Sequence, residues 1–110
     1  MKVNALVSMK VNELLSRYQA GQRDFRNLNL IAANLRGLNL SGANLSGTNF
    51  TQANLTQTNL SNANLTDAVI TGADLAGANL TRANLTNANL SNVNLEKTNL
   101  SDAIISNVIR

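Results

Sequence analysis

A chain of 110 residues is the length of one domain, and its composition removes several chemistries at once. With neither cysteine nor histidine, it has no disulfide framework, no thiolate metal site, and neither the commonest proton shuttle nor the commonest metal ligand. Nine basic residues against six acidic ones leave a net charge of +3, and only 3 % of the residues are aromatic, so any core is built from aliphatic side chains.

The chain opens with a short duplication. Met1-Lys2-Val3-Asn4-x-Leu6-x-Ser8 returns as Met9-Lys10-Val11-Asn12-x-Leu14-x-Ser16, which leaves Met1 and Met9 as alternative starts. Asn4, Lys10 and Glu13 interrupt this segment too early for a secretory signal. No stretch approaches the roughly 18 apolar residues of a membrane span. A cytoplasmic protein without membrane attachment is the expectation. From Val11 the pattern turns helical: Val11, Leu14, Leu15 and Tyr18 fall at i, i+3, i+4 and i+7, and Gly21 can occupy the residue just past a helix end. One short helix is predicted from Val11 to Ala20, within an N-terminal segment of residues 1–22.

From residue 23 to 110 the chain runs in fives. The apolar position is occupied by Phe25, Leu30, Leu35 and so on through Leu100 to Ile105. The residue two before it is mostly Ala, the one before it mostly Asn, the one after it mostly Ser or Thr, and the next Gly or polar. These are called the core, inner, outer, first-corner and second-corner positions below. A helix is excluded, because about 100° per residue carries successive core positions about 140° round the axis. A continuous strand is excluded too, since an odd repeat throws them onto opposite faces. The chain must turn within every repeat. A short extended segment then directs the inner and core residues inward, and polar corner residues follow.

Ala43-Asn44-Leu45-Ser46-Gly47, Ala73-Asp74-Leu75-Ala76-Gly77 and Ala88-Asn89-Leu90-Ser91-Asn92 resemble the motif of the pentapeptide-repeat proteins. The likeness covers seventeen consecutive repeats, about three quarters of the chain. Leu14-Leu15-Ser16-Arg17-Tyr18-Gln19-Ala20-Gly21-Gln22-Arg23-Asp24-Phe25 further resembles the opening of cyanobacterial members. The resemblance implies an all-β fold, a right-handed quadrilateral β-helix with four repeats per coil and about four coils. Val11, Leu14, Leu15 and Tyr18 are then expected to dock the helix as a cap over the first coil, where strand edges would otherwise meet water.

If coils stack every twenty residues, Ser41, Ser61, Thr81 and Ser101 form one column of corner hydroxyls. Ser46, Thr66, Thr86 and Ser106 form a second, and Thr51, Thr71 and Ser91 a third. Arg26 and Arg36 are expected as solvated corners, and Arg23 and Asp24 as residues of the cap junction. Inner positions coarsen at both ends, with Leu28 and Leu38 first and Val93 and Val108 last, and Phe50 replaces leucine between Leu30 and Ile70. Val69 and Ile104 break the polar outer rule. The final repeats place Ile104, Ile105, Val108 and Ile109 at an apolar end, the expected interface for a partner protein or a second copy.

No catalytic residue, cofactor site or metal site is expected. Ser-His-Asp and Cys-His arrangements are impossible, and the glycines are spread through the repeats rather than gathered before a helix. Up to Arg36 the charges are Lys2, Lys10, Arg17, Arg23, Arg26 and Arg36 against Glu13 and Asp24, a balance of +4; from Gly37 onward three basic face four acidic residues, −1. So short a basic segment without stacking aromatics does not suit nucleic acid. The expected function is a non-catalytic, rigid interaction module. An alternative implied by the resemblance, a DNA mimic that binds DNA gyrase, needs a dense anionic surface that this chain lacks.

Overall fold

The structure, a computed structural model, describes residues 6–110. The first half of the N-terminal duplication, Met1 to Ala5, lies outside the described residues. The named elements are a two-residue strand β1 (Val7–Ser8), a helix α1 (Val11–Gln19) and a two-residue strand β2 (Leu28–Asn29). The rest of the chain is a ladder of single bridges, all parallel and all between outer residues twenty apart, from Asp24↔Asn44 to Asn89↔Ile109. Four five-residue repeats therefore separate each residue from the one stacked on it, which gives the coil four walls.

One repeat explains the rest. The Leu65 amide donates to the Asn84 carbonyl above at 2.8 Å, while the Asn64 amide donates to the Ala43 carbonyl below at 2.9 Å. The corner Thr66-Asp67 is closed by the Ala68 amide on the Leu65 carbonyl at 3.0 Å, with Asp67 at φ 61°. That is the positive φ a type II turn requires at its third residue. Glycine takes this position without steric cost, as at Gly47 and Gly72. The outer Asn64 side chain also turns back, its Oδ1 accepting the Thr66 amide at 3.0 Å. The same bond recurs from Asn29 to Asn99, and Asp74 makes it to the Ala76 amide at 3.0 Å. Asn thus serves the corner backbone as well as the solvent.

Core residues from Phe25 to Leu90 are buried, as are the inner alanines from Ala43 to Ala88. Phe50 is fully buried in the column the sequence assigns it, between Leu30 and Ile70. Two of the inner threonines, Thr48 and Thr58, are equally buried, which the alternation of apolar inner residues does not anticipate. Their hydroxyls stay paired by bonding the core carbonyl 23 residues earlier: Thr48 to Phe25, and Thr58 to Leu35 at 2.8 Å. Since the Leu38 amide also bonds the Leu35 carbonyl, Thr58→Val should cost only about 1 kcal/mol, read as a small shift of the thermal midpoint.

Helix α1 begins and ends as expected to within one residue. Ala20 closes it, the Gly21 amide bonds the Tyr18 carbonyl, and the Gln22 amide bonds the Arg17 carbonyl. This is the paired C-terminal closure that a glycine at φ 103° permits. Leu14 and Tyr18 are buried; Val11 and Leu15 are half-buried, Val11 packing on the core. Strand β1 is an addition to the sequence reading: Val7 pairs with Leu28 and Ser8 with Asn29, so an extended segment lies along the edge of the first coil before the helix starts.

Candidate interaction surface

Part of the solenoid's polar surface is spent on its own corners. In the three hydroxyl columns, Ser61, Thr86 and Ser91 donate to the Asn Oδ1 two residues earlier at 2.6–2.7 Å. The amide oxygens there are held by corner amides and hydroxyls. Each column thus spends at least one of its hydroxyls on closing a corner.

At the N-terminal end, Tyr18 fastens the helix by donating to the Ser41 carbonyl at 2.7 Å. Arg23 lies over the Tyr18 ring, 3.7 Å from its centre, and donates to the Tyr18 carbonyl at 2.8 Å. Arg23 is thus a junction residue. Asp24 pairs with Arg26 through two contacts of 2.9 and 3.0 Å. Hydrogen bonding to Arg26 lowers the Asp24 pKa, so the pair's contribution is present above the carboxylate range and is lost as pH falls through it. Both groups are exposed, which keeps the effect small. Arg36 is not a freely solvated corner: it reaches across twenty residues and donates to Thr56 Oγ1 at 2.9 Å.

The opposite end differs. Ile104, Ile105 and Ile109 are 49 %, 50 % and 53 % exposed, while Val108, Leu95 and Leu100 are only partly covered. Ile104 bridges to Asn84 and Ile109 to Asn89, so both side chains occupy outer positions on adjacent walls. Val108 packs on the core from an inner position. The Leu95, Leu100 and Ile105 amides have no backbone acceptor, whereas Leu80 and Leu85, one coil before Leu100 and Ile105, each have one. Apolar area and unpaired edge groups coincide here. Ile31, with Leu6 and Val7 beside β1, is the other exposed apolar group among the described residues.

One wall near this end is also open. Asp74 and Asn94 do not bridge, and between them lies a cavity of about 190 Å³ lined by Asp74, Ala76, Asn94, Glu96 and Lys97. Nothing in the five-residue metre announces this gap. Among the described residues no helix is long and apolar enough to cross a membrane, and no cluster of three or more Asp, Glu, His or Cys could hold a metal ion.

The pentapeptide-repeat family matches in eight copies, over residues 24–62 and 63–102. The chain belongs to the pentapeptide-repeat family. A pentapeptide-repeat protein of the Arabidopsis thaliana thylakoid lumen is 32 % identical over 78 % of this chain and 60 % of its own, with a TM-score of 0.74. The chain therefore spans about 60 % of that relative's length. A pentapeptide-repeat protein of the cyanobacterium Cyanothece is 31 % identical over 97 % of this chain and 84 % of its own, with a TM-score of 0.44. A third, from the cyanobacterium Nostoc and described as involved in heterocyst differentiation regulation, is 36 % identical over 91 % and 46 %, with a TM-score of 0.40. Only the Arabidopsis superposition bears on shape. Comparison with curated proteins gives no match. Family and superposition together make the fold a right-handed β-helix.

Proposed function

We propose that this pentapeptide-repeat chain is a non-catalytic, rigid interaction module of about four coils, capped at its N-terminal end by α1 and open for contact at its C-terminal coil. Half-exposed Ile104, Ile105 and Ile109 carry the reading, because they gather apolar area beside unpaired edge amides at one end of the solenoid. A second copy of the chain is the occupant this end suits. The Ala103 carbonyl and the Ile105 amide flank Ile104, and neither has a backbone partner. In an antiparallel pairing about a two-fold axis at Ile104, each copy donates its Ile105 amide to the partner's Ala103. Both Ile104 side chains then meet at the close spacing of a non-hydrogen-bonded pair. Light scattering on the 110-residue chain tests this, with twice the 11.7 kDa chain mass as the supporting result.

Binding to DNA gyrase by mimicry is disfavoured by charge. Asp74 makes the same corner bond as its Asn neighbours, so the fold accepts either residue at outer positions. This chain uses Asn at most of them, and residues 37–110 carry only −1. We expect no inhibition of gyrase supercoiling at micromolar protein. Inhibition that fades with added salt would restore the mimic.

A further inference from the structure

Three walls of the last coil continue the ladder, through Asn79↔Asn99, Asn84↔Ile104 and Asn89↔Ile109. The fourth, residues 93–97 over 73–77, does not. The Leu80 amide bonds the Asn99 carbonyl at 2.8 Å and the Asn99 amide the Ala78 carbonyl at 3.0 Å, but the equivalent Leu75 and Asn94 amides have no backbone acceptor. Beside them the register slips by one. Gly72 and Arg82 donate to the first-corner residues Ser91 and Ser101, whereas Gly77 donates to the second-corner residue Lys97 at 2.7 Å. Lys97 is also the one second-corner residue between Asn27 and Asn107 that does not have positive φ.

These departures meet at the one corner that carries Lys97. The left-handed conformation costs most residues about 1 kcal/mol or more, and Gly, Asn and Asp least. Gln52, Gln57 and Arg82 adopt it where their coil is bonded both above and below, and Ala32 adopts it in the first coil, beside the β1–β2 pairing. In the last coil only the bonds from below repay the cost. There Asn92, Asp102 and Asn107 take the left-handed form and Lys97 does not.

We propose that residues 93–97 form a two-state rung. In the open state, seen here, the cavity separates Asp74 from Asn94. In the closed state Lys97 takes positive φ, Gly77 donates to the Glu96 carbonyl, the Leu75 amide reaches the Asn94 carbonyl, and the Asn94 amide reaches the Ala73 carbonyl. The rung is anchored on both sides, by Gly72 on Ser91 and by Asn99 on Ala78, so it exchanges without releasing the coil.

Amide hydrogen exchange followed by NMR tests the rung on the full chain. Leu75 should exchange at least tenfold faster than Leu80. Lys97→Gly, which removes the cost of positive φ, should slow Leu75 and Asn94 at least tenfold. Asn92→Gly, at a corner already at φ 61°, should change neither. Equal protection of Leu75 and Leu80 in the wild type, no response to Lys97→Gly, or the same response to Asn92→Gly would each overturn the proposal.

Discussion

Leu65→Asp is expected to unfold the solenoid, while Asn64→Asp, one residue away, leaves its stability nearly unchanged. Leu65 is 0 % exposed and stands in a column with Leu45 and Leu85, both fully buried. A carboxylate there meets only aliphatic neighbours. Its desolvation goes unpaired and costs several kcal/mol, against a total stability of about 5–15 kcal/mol for a domain of this kind. Leu65→Ala removes the contacts without adding charge and should cost about 2–5 kcal/mol. Asn64 is an outer residue whose side chain makes one hydrogen bond, accepting the Thr66 amide. Asp retains that acceptor, as Asp74 demonstrates on Ala76. Urea denaturation followed by circular dichroism measures all three. Equal tolerance at residues 64 and 65 would refute the inward and outward assignment of the whole repeat.

The wild-type chain should be dimeric at tens of micromolar, and Ile104→Lys combined with Ile109→Lys should make it monomeric. Ile104 and Ile109 sit on adjacent walls, each about half exposed, so neither is needed to fill the core. Lysine can keep its aliphatic stem against the wall with its ammonium in water, and the monomer should therefore stay folded. Across a two-fold interface the same change places four ammonium groups near one another in a region losing water, which opposes association through both repulsion and desolvation. Light scattering reads the mass, and an unchanged far-UV spectrum shows that the fold survives. A wild-type monomer at tens of micromolar, or a dimer indifferent to both lysines, would remove this interface.

The five-residue metre by itself determined much of this protein. It distinguishes inward from outward residues, places Leu and Ala in the core, and requires a corner in every repeat, because only one backbone path satisfies an odd period with one face buried. Helix α1 is legible for the same local reason, in the spacing of Val11, Leu14, Leu15 and Tyr18 and in Gly21. The N-terminal charge and the missing anionic face can also be counted without a structure. What stacks on what could not be read from the metre, since a period of five repeats identically whatever number of repeats closes a coil. The twenty-residue ladder decides that Thr58 reaches the Leu35 carbonyl and that Arg36 meets Thr56, and only the fold lays Val7 along Leu28. The broken rung at Asp74 and Asn94 is of the same kind. Lys97 can be seen in the sequence as an uncommon corner residue, but its effect depends on how many hydrogen bonds the coils above and below supply. That number belongs to residues twenty apart in the chain and neighbours only in the folded solenoid.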